Sequence, residues 1–265
     1  MNDKKSGAVA LVDIQSSKDE RNIPIDRVGV RGVKYPMHVR VKDNGLQHTV
    51  GNFTLTVDLP RHFKGTHMSR FLEVLAQHNH DLSAETIPVI LAKLREKLHA
   101  ETAHLQVRFI YFREKAAPVT HKVGMMGYEC GFNATGGTTD DFELYVNVPV
   151  TTLCPCSREI SARGAHNQRG YVTARVRIDG LLWLEDLIDM IEAAGSCQLY
   201  PVLKRPDEKY VTEHAFDNPR FVEDMVREVS VAFDKEPRIR SYEIEVENHE
   251  SIHDHNAYAY VKRPR

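Results

Sequence analysis

Apolar and polar residues alternate at Phe53, Leu55, Val57 and Leu59, with Thr54, Thr56 and Asp58 between them, which is the period of a half-buried strand. The period then lengthens. Met68, Phe71, Leu72 and Leu75 recur at helical spacing, and Ile87, Ile90, Leu91, Leu94 and Leu98 repeat it. Alternation returns at Leu105, Val107 and Phe109, and again from Phe142 through Leu144, Val146 and Val148 to Val150. A similar order follows beyond residue 170. Val172 to Ile178 alternates, and Leu184, Leu187, Ile188 and Ile191 form a helical stripe that stops near Gly195. Asn218-Pro219 reads as the cap and first position of a helix carrying Val222, Met225, Val226 and Val229. Tyr242, Ile244 and Val246, then 258–261, predict the closing strands. The expected fold class is α+β, an antiparallel sheet with helices on one face, built from a ββααββ pattern used twice, at about 45–150 and 170–265. Residues 1–22 are polar and read as a flexible N-terminal segment, and 23–36 as sheet broken by Gly29, Gly32 and Pro36. Residues 23–265 then form one subunit. Open sheet edges must be paired or covered, so self-association is expected.

Composition narrows the choice of function. The chain has 265 residues, 35 basic against 37 acidic, for a net charge of -2. That balance argues against a nucleic-acid partner, whose footprint is strongly basic. No apolar run is long enough to span a membrane. Four cysteines (Cys130, Cys154, Cys156, Cys197) do not make a disulfide framework at this length. No targeting segment is recognisable, so a cytoplasmic location with reduced thiols is expected.

Candidate chemistry lies mostly in connections. Cys154-Pro155-Cys156 follows the strand ending at Val150, and Pro155 keeps Cys154 out of the helical region. These residues could hold one metal between both thiols, although that needs regular pleating, or form a tight turn with two small buried side chains. His166, twelve positions beyond Cys154 in the polar stretch 161–170, falls across a connection between successive strands, where a thiolate and an imidazole can share a metal. Asn248-His249-Glu250-Ser251-Ile252-His253-Asp254-His255 packs three histidines and two carboxylates into a short stretch. If it is extended, His253 and His255 share a face, and imidazoles suit acid–base work near neutral pH. Thr66-His67-Met68-Ser69-Arg70 opens a helix, where amides and an arginine suit a phosphate, although an ordinary cap by Thr66 explains the same residues. Glu208 and Glu223 are not singled out by spacing.

Five blocks taken together resemble the type IB GTP cyclohydrolase I family. They are 23–30 (IPIDRVGV), 65–71 (GTHMSRF), 153–157 (LCPCS), 164–170 (GAHNQRG) and 248–253 (NHESIH), in order along nearly the whole chain. The resemblance implies a tunnelling fold assembled as a homotetramer with active sites between subunits. It implies conversion of GTP and water to 7,8-dihydroneopterin triphosphate and formate. By position, Cys154, His166 and Glu208 correspond to metal ligands for Zn²⁺ or Mn²⁺, with Fe²⁺ an alternative. Cys154, His253 and His255 correspond to catalytic groups. Glu223 corresponds to the anchor of the guanine edge, and His67, Ser69 and Arg70 to triphosphate contacts, given by a neighbouring subunit. A tunnelling-fold nitrile reductase using Cys154 as a covalent nucleophile is the competing expectation.

Overall fold

In the computed structural model, residues 15, 17–43, 45–78 and 86–264 are described. A nine-stranded antiparallel sheet dominates, in the order β1-β2-β3-β4-β5-β6-β8-β9, with the short β7 paired to β5. The first six elements are β1 (Ile25–Arg40), β2 (Leu46–Leu59), α1 (Met68–Ala76), α2 (Ile87–Leu98), β3 (Ala103–Ala116) and β4 (Val123–Gly136). Then come β5 (Asp141–Leu153), α3 (Pro155–Ile160), β6 (Asn167–Ile178), α4 (Leu184–Ala194) and β7 (Cys197–Gln198). The chain closes with α5 (Arg205–Asp217), α6 (Val222–Lys235), β8 (Ile239–His249) and β9 (Ala257–Pro264).

The strand alternation is realised as burial. Phe53, Leu55 and Val57 on β2, Leu105 and Val107 on β3, Val146 and Val148 on β5, and Val172, Ala174 and Val176 on β6 are almost completely buried. They meet the apolar stripes of the helices, Phe71, Val74 and Leu75 of α1, Ile90 and Leu94 of α2, Leu187 and Ile191 of α4, and Met225, Val229 and Phe233 of α6. The opposite sheet face is polar over its middle strands, with Val50, Ile110 and Phe112 exposed toward the β2–β3 side. There the Arg108 guanidinium lies 3.9 Å from the centre of the Tyr145 ring, two strands away. Gly131 stands between them in register, and a Cβ there would meet the Arg108 side chain at 2.8 Å. Its missing side chain opens the path.

Three parts differ from the expectation. Asn218 does not start α6. Its backbone and side-chain amides donate to the His214 carbonyl, at 3.2 and 2.7 Å, so it ends α5. The cap of α6 is Phe221, whose N–H donates to Asp224 at 3.0 Å. The first helix is entered from His67, in extended backbone, not capped by Thr66. Of the N-terminal segment, residues 1–14 and 16 lie outside the described residues, while Gln15, Ser17, Lys18 and Asp19 pair with the 62–65 loop. Among the described residues no helix is long and apolar enough to cross a membrane.

Topology sets where chemistry gathers. Successive antiparallel pairings from β2 to β5 make those two strands run in opposite directions. The end of β5 at Leu153 and the end of β2 at Leu59 therefore lie at opposite ends of the sheet. A thirteen-residue strand such as β5 is about 40 Å long.

Candidate active site at one end of the sheet

Four chain segments meet at the Leu153 end. Register places Leu153 beside Asn167 at the start of β6, and Arg169 beside His249 at the end of β8. The Cys154 N–H donates to the His166 carbonyl at 3.2 Å, which joins the two expected metal ligands through the backbone. Cys154 is the N-cap of α3. Its Sγ accepts from the Ser157 N–H at 3.4 Å, and the Ser157 hydroxyl donates back to the Cys154 carbonyl at 3.1 Å. The Ser157 Oγ also accepts the His166 N–H at 3.2 Å. Pro155 at N1 fits this local plan because its missing N–H has no helical acceptor there. Cys154 is half-buried and Cys156 is exposed, so the turn gives the two thiols different environments.

The third segment is the loop 250–256. The His166 Nδ1 lies 3.1 Å from the Ser251 hydroxyl, which leaves Nε2 as the nitrogen open to a ligand. The loop is bent rather than extended, yet His253 and His255 still come together, with ring centres 5.2 Å apart and planes 19° from parallel. Asn256 closes it at both ends. Its Nδ2 donates to Glu247 Oε1 at 2.7 Å, and its Oδ1 accepts the Glu250 N–H at 3.3 Å.

The fourth segment is the connection through α5 to α6. The Arg220 N–H donates to the Leu153 carbonyl at 3.0 Å and holds the α5–α6 linker against the end of β5. Glu223 is exposed in the first turn of α6 just beyond. At the other end of α5, the buried Asp207 carboxylate accepts from the Thr120 hydroxyl at 2.6 Å, and from the amides of Thr120, Val119 and Lys204 at 2.8–2.9 Å. Burial would raise the Asp207 carboxyl, but these donors outweigh it and hold it well below the usual carboxylate range. Asp207 thus ties α5, and with it the exposed Glu208, to the β3–β4 turn. Among the described residues, no three His, Cys, Asp or Glu side chains converge as a metal cluster. Cys154 and His166 are brought together by the backbone; Glu208 does not join them in a ready-made triad.

His67, Ser69 and Arg70 stand elsewhere. They follow β2, at the far end of the sheet from Cys154, and one Arg70 Nη donates to the Lys97 carbonyl at 3.1 Å. The sequence reading missed Ser157, Ser251 and Asn256 as the residues that shape the Cys154 end. The first has a local signal, sitting at the N3 position of a helix capped by Cys154. The other two act through partners on neighbouring strands and leave no spacing to read.

An antiparallel α+β sheet with helices on one face is the tunnelling-fold type of architecture. Uricase from Arthrobacter globiformis shares it with a TM-score of 0.58 and 9% identity, over 91% of this chain and 93% of that one. Sequence comparison is more specific. The family model described as type I GTP cyclohydrolase folE2 matches residues 11–259. Relatives called GTP cyclohydrolase FolE2 are 49% identical in Nitrosococcus oceani (96% of this chain, 96% of the relative) and 50% in Methylococcus capsulatus (97% and 96%). That from Kosmotoga olearia is 51% identical over 95% of this chain and 98% of its own length. The chain belongs to the GTP cyclohydrolase FolE2 family.

Proposed function

We infer that this chain is a GTP cyclohydrolase I, which opens the imidazole ring of GTP with water and releases formate and 7,8-dihydroneopterin triphosphate. The observation that carries the reading is the near full-length, roughly half-identical match to GTP cyclohydrolase FolE2 proteins. The subclass written type IB belongs to the same proposal, on the motifs that suggested it.

The residues at the Leu153 end fit the chemistry. Cys154 offers a thiolate whose nearest partner is a single backbone N–H at 3.4 Å, and His166 offers the nitrogen that Ser251 leaves open. That thiolate–imidazole pair, with Glu208 as third ligand, suits Zn²⁺ or Mn²⁺, with Fe²⁺ also accepted. A divalent metal, if held there, would supply Lewis acidity and lower the pKa of a water molecule. By engaging Nδ1, Ser251 would leave Nε2 of His166 to hold such a metal, as outer partners of ligating histidines do. The paired imidazoles of His253 and His255 are placed to give a proton to the departing ring nitrogen and to take one during formate release. Glu223 accepts hydrogen bonds from N1–H and the exocyclic amine of guanine.

The triphosphate contacts complete the site from a second copy. His67, Ser69 and Arg70 lie at the opposite end of the sheet from Cys154, so one chain does not present both sets to one substrate. A homotetramer of chains, each reading as two ββααββ halves within 23–265, brings the ends together, as a cytoplasmic assembly. The order β1-β2-α1-α2-β3-β4 supports a first half at 25–136, not 45–150, and a looser second half that opens with β5 at 141, not at 170.

The test is direct. Purified protein is incubated with GTP and Zn²⁺, Mn²⁺ or Fe²⁺, then oxidised and assayed for pterin fluorescence and formate. Equal amounts of pterin and formate are expected; no turnover with any of the three metals contradicts the reading.

A further inference from the structure

A second cleft lies on the polar face of the sheet, the side turned away from the helices and from Glu223. Its volume is about 250 Å³, and β6, β8 and β9 line it together with Asn147 of β5. Tyr171 of β6 pairs directly with Glu247 of β8, and Glu247 pairs directly with Tyr258 of β9. Directly paired residues share a sheet face, so one row reads tyrosine, glutamate, tyrosine. Neighbouring strands are about 4.8 Å apart, which sets the two tyrosines roughly 10 Å apart across Glu247. A planar ring between them has each phenol at roughly 5 Å, within the range of stacked aromatic rings. The His249 ring already leans on Tyr171, with centres 4.8 Å apart, and extends that wall.

The polar groups are specific as well. Glu245 is neutralised by Arg175 at 2.5 Å. Glu247 is not: its nearest cation-capable group is His249 at 3.9 Å, and Asn256 occupies only Oε1, at 2.7 Å. A carboxylate between two aromatic walls, with acceptor capacity left, matches a flat ring carrying adjacent N–H and NH₂ donors. It lacks a lysine or arginine free to meet a polyphosphate.

We propose that this cleft binds a non-phosphorylated 2-amino-4-oxo heterocycle, a pterin or a guanine base, stacked between Tyr171 and Tyr258 with its amino edge on Glu247. The site is separate from the one that holds GTP. It rests on the cyclohydrolase reading only for the source of the ligand, since the reaction makes one such ring from another.

Calorimetric titration of the full chain with neopterin, guanosine and adenosine tests it. Neopterin and guanosine should bind the wild type, and adenosine, which lacks the N–H/NH₂ pair, about tenfold or more weakly. Their relative affinities tell which ring is preferred. Tyr258→Ala should weaken neopterin binding about tenfold or more, Tyr258→Phe should restore it, and Glu247→Gln should weaken it too. Tyr258 is 60% exposed, so its truncation leaves the core intact. Glu223→Ala removes the guanine anchor of the GTP site and should leave the Tyr258-dependent part of neopterin binding in place. Failure of both neopterin and guanosine to bind, indifference to Tyr258→Ala, or loss of the Tyr258-dependent binding with Glu223→Ala overturns the proposal. Tyr258-dependent binding in a protein that does not turn over GTP leaves this site standing and removes the cyclohydrolase reading.

Discussion

The two ends of the sheet make an instructive pair. At the Leu153 end, Cys154, His166, the 250–256 loop and the α5–α6 linker come from four distant parts of the sequence, yet hydrogen bonds of 2.7–3.4 Å join them within one chain. At the Leu59 end, His67, Ser69 and Arg70 are consecutive or nearly so, and the Arg70 guanidinium is engaged by the helix α2 terminus. One end is organised by tertiary contacts, the other by a helix start. Chemistry that needs both ends in contact with a single substrate has to be shared between copies of the chain.

The largest expected effect falls on the organised end. Cys154→Ala should lower kcat/KM for GTP by about a thousandfold or more if Cys154 is the metal ligand proposed for it. The exposed Cys156, two positions on, should tolerate alanine with less than about a threefold change. Steady-state kinetics on both variants check this, and a reversed ranking places the wrong thiol at the centre. Next in size is Asn256→Ala, which unties the loop bearing His253 and His255. A drop of about tenfold in kcat with little change in KM is expected, because the proton transfer proposed for His253 and His255 would depend on where those rings stand. A rise in KM alone places the loop in substrate binding instead.

A smaller effect concerns stability. The Asp207 carboxyl is held below its ordinary value, so its contribution is present above the unfolded pKa of 3.8 and is lost as pH falls through the folded value. Asp207→Asn should lower the thermal midpoint at pH 7, and the gap to wild type should begin to narrow as the pH falls below about 4. Thermal melts of both proteins between pH 7 and 3 measure it. A gap that does not narrow at all between pH 7 and 3 assigns the loss to packing rather than to the charged hydrogen bonds that tie α5 to the β3–β4 turn.

The same contrast explains what could be read from the sequence. Strands β2, β3, β5 and β6 and helices α2, α4 and α6 were legible because each buries a regular stripe against the other layer. Helix α1 keeps only part of its expected stripe: Phe71 and Leu75 are buried, while Met68 and Leu72 are 40% and 45% exposed. Strand β4 was hidden by Gly124, Gly127, Gly131 and Gly136, which interrupt the alternation. Helix α5 was hidden because only Asp207 and Ala215 of it are buried, so no apolar period marks it. That omission also misplaced Asn218. Of the site, the thiol and imidazoles were visible as unusual residues in loops. Ser251, Asn256 and Asp207 were not, because their partners lie on other strands or turns and periodicity carries no record of them.

Sharing of the site between subunits is tested most directly by mixing two inactive chains. Cys154→Ala and Arg70→Ala proteins, each assayed alone and then after joint denaturation and refolding with metal, report whether the two ends serve one substrate from different copies. Random reassembly should return turnover to about a quarter of wild type, from the sites that receive an intact end from each partner. Mixed protein no more active than the average of its components contradicts a site built from opposite ends of two subunits.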